Sequence, residues 1–114
     1  MNHMRHFIWS GCAAFLMAGF VLLCATPVQA QDAADLFKSK CAICHSADGS
    51  GSGPTGKALN IPDLRSDDIQ KNSDADLIGF VTNGKNKMPT FKEKLTEDQI
   101  KQLVAYVREL AKKK

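Results

Sequence analysis

The chain has 114 residues, with 15 basic and 12 acidic side chains, a net charge of +3 and four cysteines. This length allows one small domain at most. The sequence contains no strand pattern, internal repeat, phosphate-binding glycine loop or nucleic-acid-binding motif, and the three lysines at its end are too few to form one. Nucleotide- and nucleic-acid-binding functions are therefore excluded.

Residues 1–30 have the features of a secretory signal peptide. Arg5 precedes an apolar run, and the small residues Val28 and Ala30 lie three and one before a cut after Ala30, as signal peptidase requires. We therefore expect export to the periplasm and a mature domain of residues 31–114. The cut would leave 84 residues and, because Arg5 is lost, 14 basic against 12 acidic side chains, a net charge of +2.

Two alternatives for this segment stay open. The apolar run from Phe7 to Cys24 is about long enough to span a bilayer, so the segment could be retained as a membrane anchor. Lipid attachment at Cys12 or Cys24 is a weaker alternative, because the bulky Leu23 stands where lipid attachment usually requires a small residue.

A helix is predicted from Asp32, its expected N-cap, because Phe37 and Cys41 fall on one helical face. It runs into Cys41-Ala42-Ile43-Cys44-His45, the C-x-x-C-H signal for attachment of a c-type haem. Two cysteines three apart lie on one face of a helical turn, so both sulfurs can form thioethers to a single porphyrin. His45 follows as the proximal ligand of the iron. The sequence thus predicts one covalently bound haem c.

The cysteine pair has three other possible interpretations. A thioredoxin-like redox pair requires a βαβ pattern, and none surrounds Cys41. A zinc site requires four ligands, and after residue 30 the chain has no Cys or His beyond Cys41, Cys44 and His45. A structural disulfide between the two cysteines would close a very short loop and stabilise little. None of the three explains why a histidine follows directly.

Two irregular stretches are predicted after the motif. Residues 46–56 are rich in Gly and Ser, and we expect them to form neither helix nor strand. A flexible linker is one interpretation; a loop around the proximal edge of the haem, with glycines that allow close backbone approach, is favoured because there is only one domain. Residues 57–65 are also expected to be irregular, with Pro62 as a breaker.

Three helices are predicted in the second half of the chain. They run from Ser66 to about Gln70, from Ser73 to Asn83-Gly84, and from Thr96 to about Ala111. Thr96 and Gln99 form a capping box. The apolar positions of the last helix recur at helical period, at Ile100, Leu103, Val104, Val107 and Leu110. The fold class predicted is all-α.

Met88 is predicted to be the second axial ligand of the iron. It is the only Met after residue 30, it lies in a non-helical loop, and Pro89 fixes the backbone beside it. A thioether is a common second ligand of c-type haem iron. The alternative is that Met88 fills the core, which is the usual role of a methionine.

Together these features resemble the class I cytochromes c, especially the small soluble ones of bacteria and photosynthetic lumens. The resemblance covers residues 32–111. It rests on the C-x-x-C-H motif, on Gly53-Pro54, on Asn83-Gly84 leading to Met88-Pro89, and on a final helix with Leu103 and Tyr106. It implies the cytochrome c fold, in which short helices wrap one haem and the terminal helices cross near it.

The resemblance also implies particular contacts. Phe37 is expected to contact Tyr106 and Leu103 across the two terminal helices. The Pro54 carbonyl is expected to accept a hydrogen bond from Nδ1 of His45, which would fix the imidazole tautomer.

Iron held by both His45 and Met88 would have no open position for a substrate. The expected function is therefore one-electron transfer between larger redox complexes, with the iron cycling between ferric and ferrous forms, and not enzyme catalysis. Two alternatives stay open: a five-coordinate haem sensor or peroxidase-like enzyme, if Met88 does not bind, and a tethered electron-relay subunit, if residues 1–30 are retained. Arg65 and Lys57 are weaker candidates for contacts with the haem propionates.

The charged residues are unevenly distributed. Four lysines bracket Met88, at Lys85, Lys87, Lys92 and Lys94, whereas residues 63–76 are mainly acidic. In the resembled family the haem edge is exposed beside the methionine loop, so the membrane or soluble redox partners are expected to dock near Lys85 and Lys87. The alternative is a set of solvated lysines that contact no partner. We expect a monomer.

Overall fold

The computed structural model describes residues 28–114, and all but the last three residues of the predicted signal peptide, residues 1–30, lie outside this range. Within it the regular elements are α1 Val28–Lys40, α2 Ala42–His45, α3 Pro54–Leu59, α4 Asp67–Gln70, α5 Asp74–Asn83 and α6 Glu97–Lys112. The prediction of an all-α domain is confirmed. None of these helices is long and apolar enough to cross a membrane.

The first and last helices, α1 and α6, pack against each other. Ala33 and Phe37 of α1 are each 3% exposed. The buried residues of α6 are Ile100, Leu103, Val104 and Leu110. The fifth residue of the predicted apolar stripe, Val107, is half-buried. The prediction of Asp32 as N-cap is wrong, because α1 already begins at Val28 and leaves Asp32 exposed inside the helix. No helix breaker stands between the two positions.

The starts of α5 and α6 are capping boxes. Oγ of Ser73 accepts from the Asp76 amide at 3.1 Å, and the Asp76 carboxylate accepts from the Ser73 amide at 3.2 Å. Thr96 and Gln99 make the same reciprocal pair at 3.1 and 2.9 Å. These bonds satisfy amides that have no partner inside a helix, so both starts lie where the sequence predicts them.

The helix α3 is a correction to the sequence analysis, which expected residues 46–56 and 57–65 to be irregular. Pro54 occupies the first turn, where its missing amide costs nothing. The Lys57 amide donates to the Gly53 carbonyl at 2.9 Å, and Asn60 ends the helix in the left-handed conformation with φ of 51°. The Gly and Pro content therefore predicted a loop where the chain forms a short helix.

The core is small. Its buried apolar residues within the described range are Ala33, Phe37, Leu77, Phe91, Leu95, Ile100, Leu103, Val104 and Leu110. Most of them come from α1, α6 and the segment between α5 and α6. A domain of this size rarely supplies enough apolar burial for a stable fold on its own.

Candidate haem-binding site

A cavity of about 710 Å³ lies between the helices and contains all four predicted site residues in its lining. Cys41, Cys44 and His45 come from the turn between α1 and α2 and from α2 itself, whereas Met88 comes from the loop after α5. Most other lining residues are apolar: Phe37, Ile43, Leu59, Ile61, Pro62, Leu64, Ile69, Leu77, Phe80, Val81, Pro89, Phe91, Leu103, Val104 and Val107. The fold thus brings the motif and the methionine to one apolar space.

Backbone hydrogen bonds position the two cysteines. The Cys41 amide donates to the Phe37 carbonyl at 2.8 Å, and the Cys41 carbonyl accepts from the amides of Cys44 and His45 at 3.2 and 2.9 Å. Both thiols are free, so the two cysteines do not form a disulfide. Burial and the neighbouring Cys44 raise the pKa of the Cys41 thiol to about 11. A buried position of this kind suits the uncharged thioether that haem attachment would leave.

The glycine-rich segment packs closely against the motif. A side chain at Gly56 would meet the Gly51 carbonyl and come within 2.7 Å of the Cys44 carbonyl. The Gly51 amide donates to the His45 carbonyl at 2.8 Å, and the Gly53 amide donates to Oγ of Ser46 at 3.0 Å. The segment is therefore fixed against the motif, in agreement with the predicted close approach of its glycines.

His45 has the properties of a ligand-binding imidazole. Burial lowers its pKa below the ordinary value, which favours the neutral ring that binds metal ions. Its Nδ1 is buried and has no hydrogen-bond partner among the described residues. The bond to the Pro54 carbonyl that the resemblance implied is therefore not formed. Pro54 is the first residue of α3, and the geometry of that helix fixes the direction of its carbonyl.

Met88 lies in a tight turn that is bonded to itself. The Met88 amide donates to the Lys85 carbonyl at 2.9 Å, and the Lys85 amide donates to the Met88 carbonyl at 3.1 Å. Gly84 before the turn has φ of 78°, and a side chain there would come within 2.7 Å of the Met88 carbonyl. The Phe91 amide donates to the Val81 carbonyl at 3.1 Å and joins the turn to α5. Met88 itself is half-buried and faces the cavity.

The charged residues in the cavity lining are mainly basic. Lys40, Lys85 and Lys87 are exposed lining residues, against Asp68 alone among the acids. Lys85 is held in place, since its Nζ lies 3.8 Å from the centre of the Phe80 ring. Sequence reasoning named Lys85 and Lys87 but missed Lys40.

An exposed apolar residue also belongs to the cavity lining. Ile43, between the two cysteines, is 76% exposed. Its place directly before Cys44 was the one signal in the sequence, because a neighbour of a haem-binding residue can also line the cavity. Lys40, directly before the motif, could have been found in the same way.

The two candidates for propionate contacts lie elsewhere. Neither Arg65 nor Lys57 is among the cavity-lining residues. Nε and Nη2 of Arg65 donate to the Asp63 carboxylate at 2.9 and 3.0 Å, and this pairing holds the pKa of the Asp63 carboxyl below its usual range. Asn60, Asn72 and Asn86 are the neutral polar side chains of the lining.

The residues present fit a covalently attached haem. The cavity has the volume of a typical cofactor site, and its walls are apolar. Two free thiols and a neutral imidazole with an unpaired buried nitrogen stand in its lining. Residues 28–114 contain no cluster of three or more Cys, His, Asp or Glu side chains that could hold a metal ion by themselves. An all-α fold around such a cavity defines a c-type haem protein.

Comparisons with known proteins agree with this class. The family described as cytochrome c oxidase, cbb3-type, subunit III matches residues 28–107. Cytochrome c6 from a Nostoc species is 37% identical over 94 residues, covering 80% of this chain and 82% of the relative. Cytochrome c6 from Gloeothece citriformis is 34% identical over 116 residues, covering 96% of this chain and 98% of the relative. A solved structure titled KustC0563 c-type cytochrome has 32% identity and a TM-score of 0.63, over 68% of this chain and 95% of its own.

The chain belongs to the cytochrome c family that these relatives define, and it is a small monohaem class I cytochrome c. It carries one covalently bound haem c with its iron. It is an electron-transfer protein that serves as a carrier between redox complexes, and it is not an enzyme.

Proposed function

We propose that this cytochrome transfers one electron at a time through a haem attached to Cys41 and Cys44, with the iron held between His45 and Met88. The observation that carries the proposal is that these four residues, from two separate parts of the chain, line the same apolar cavity. When bound, the haem iron supplies the one-electron couple between its ferric and ferrous forms.

The protein residues would determine how that couple behaves. The soft sulfur of Met88 would favour the ferrous form more than a second imidazole in the same position would. The apolar walls act in the same direction, because the ferric form carries the additional charge and is stabilised by water. If His45 and Met88 both bind the iron, no position would remain for a substrate.

Absorption spectra of the native holoprotein and of the protein denatured in alkaline pyridine test the proposal. The first reports the axial ligands and the second the number of thioether bonds. Replacing Met88 by Ala should keep the protein helical, lower the reduction potential and allow the ferrous form to bind carbon monoxide. Lys87→Ala changes the neighbouring residue of the same turn and is the matched control. It should neither lower the reduction potential nor allow carbon monoxide to bind. If Met88→Ala kept the parent spectrum and potential, Met88 would be a packing residue.

We propose that residues 1–30 are removed on export and that the mature protein works in the periplasm as a monomer. Among residues 28–114, every residue that lines the cavity lies at Phe37 or later, so cleavage after Ala30 removes none of these lining residues. N-terminal sequencing of the exported protein should find Gln31 first. A retained segment would instead support a membrane-tethered electron relay. This role is the second candidate because the matching family is that of an oxidase subunit.

We also propose that redox partners dock at the cavity mouth beside Lys85 and Lys87. Both lysines are exposed members of the cavity lining, whereas Lys92 and Lys94 are not part of it. The excess of lysine over acid around the opening suits an acidic partner surface, which would speed encounter more than it would tighten binding.

A further inference from the structure

Arg108 uses its whole guanidinium on one short segment of the chain. Its Nε and Nη2 donate to Oδ1 of Asp74 at 3.1 and 2.8 Å, and Nη2 also donates to the Asn72 carbonyl at 2.7 Å. Its Nη1 donates to the carbonyl and to Oε1 of Gln70 at 3.0 and 3.1 Å. A guanidinium has five N–H donors, so each of them has an acceptor. The Arg108 side chain is only 24% exposed.

The segment that accepts these bonds joins α4 to α5. Gln70 is the last residue of α4 and Asn72 lies two residues beyond it, where the end of a helix leaves carbonyls without partners. Nε2 of Gln70 donates in turn to the Leu64 carbonyl at 2.7 Å. Nδ2 of Asn72 donates to the carbonyls of Asp68 and Ile69 at 3.0 and 2.9 Å. One side chain of α6 is thereby connected by hydrogen bonds to most of residues 64–74.

Residues 64–74 form one wall of the haem cavity. Leu64, Ile69 and Asn72 are among its lining residues. Val107, directly before Arg108 on α6, lines the same cavity. Arg108 therefore ties the wall of residues 64–74 to the wall formed by α6.

We propose that Arg108 is a positioning residue that fixes the cavity wall of residues 64–74 and so helps to set the reduction potential of the haem. The inference rests on the proposed function, since it concerns the environment of that haem. Leu64 packs against the hydrophobic core, whereas Gln70, Asn72 and Asp74 are joined to α6 by the hydrogen bonds of Arg108. If they are lost, the segment opens more often and water enters beside the haem. Water stabilises the more highly charged ferric form, and the potential falls.

The experiment uses the holoprotein and the variants Arg108→Gln and Arg108→Lys. Hydrogen exchange of backbone amides measures opening of residues 64–74, and a redox titration measures the potential. Both variants should raise the exchange rates of this segment by about tenfold or more and lower the potential. Lysine keeps the charge but cannot form the five-bond fork, so its effect on the potential separates geometry from charge.

Thr96→Ala is the matched control, because it removes the N-terminal cap of the same helix without touching residues 64–74. It should lower global stability and leave the potential at the parent value. Asp74→Asn, which weakens two of the five bonds, replaces Arg108→Gln if that variant does not fold.

Three results would overturn the inference. The first is an Arg108→Gln variant with faster exchange but the potential of the parent protein, and the second is an Arg108→Lys variant with the potential and the exchange rates of the parent protein. The third is an equal fall of the potential in Thr96→Ala. Failure of the proposed function would show itself separately, as a parent protein whose ferrous form already binds carbon monoxide.

Discussion

The ring of Phe37 packs against the ring of Tyr106, with centroids 5.3 Å apart and planes inclined by 56°. This tilted contact joins α1 to α6, and Phe37 also lines the cavity. The Cys41 amide is bonded to the Phe37 carbonyl, so the contact lies one helical turn from the attachment motif. It confirms the contact of Phe37 with Tyr106 that the resemblance to class I cytochromes c implied, and Leu103 belongs to the same hydrophobic core cluster as Phe37.

Replacing Phe37 by Ala should lower the free energy of unfolding of the holoprotein by about 3–5 kcal/mol, because it removes a buried aromatic ring and leaves a cavity. Denaturant unfolding followed by circular dichroism measures the change. Tyr106→Phe keeps both rings and is the control, with an expected change within about 0.5 kcal/mol. A loss of stability in Phe37→Ala below about 1 kcal/mol would show that the contact between the terminal helices contributes little.

Replacing Cys41 and Cys44 together by Ala should leave an exported chain that is largely unfolded. The buried apolar core is small, and covalent attachment of a large flat apolar group adds the burial that the chain lacks. Far-ultraviolet circular dichroism of the purified product measures helix content. Ser39→Ala, an exposed change on α1, is the control and should retain haem and helix. A helical, cooperatively unfolding product without haem would refute the prediction.

Changing Lys85 and Lys87 to Glu should slow electron transfer to an acidic partner by about tenfold at low salt, because the charges at the cavity mouth steer the encounter. The parent rate should fall with salt, since screening acts over about 8 Å at physiological ionic strength, and the variant's rate should depend less on salt because the attractive charges are gone. Stopped-flow measurements over a range of salt concentrations test this.

Lys113→Glu with Lys114→Glu changes the net charge equally at the end of the chain and is the control for the lysine pair. It should change the rate much less. Equal effects of the two double variants, or rates that do not respond to salt, would place docking on an apolar surface such as the one around Ile43.

The same substitution should have opposite effects at two glycines. Gly79 lies inside α5, and a side chain there would meet no atom within 4 Å, so Gly79→Ala should raise the free energy of unfolding by about 0.5–1 kcal/mol. Gly56→Ala would force a methyl group into the carbonyls of Gly51 and Cys44 and should lower it by about 1–3 kcal/mol. Thermal unfolding of the two holoproteins provides the comparison. Changes of the same sign would contradict the packing described for Gly56.

The helices predicted best are those whose ends depend on neighbouring residues. The capping pairs of α5 and α6 involve residues three apart, so the sequence contains their whole cause. The helix α3 was missed because it packs against the motif: Gly56 is favoured by the lack of space beside the Cys44 carbonyl, and not by helix propensity. Tertiary packing overrides local preference there.

The residues of the site also differ in whether a local sequence pattern predicts them. Cys41, Cys44 and His45 are adjacent in sequence, so a local motif is enough to predict that they act together. The hydrogen bonds of Arg108 to Gln70 and Asp74 join residues far apart in the chain, and no local pattern around Arg108 indicates them. The lining residues Leu64 and Ile69 likewise become part of the site only through folding.

The turn that contains Met88 has a consequence for the speed of electron exchange. Its backbone is fixed at both ends, by the reciprocal bonds with Lys85 and by the bond from the Phe91 amide to α5. A side chain on such a support keeps nearly the same position when the charge of a neighbouring metal changes by one unit. If its sulfur is the iron ligand, the reorganisation energy of the redox step is small, and rapid exchange needs only a modest driving force.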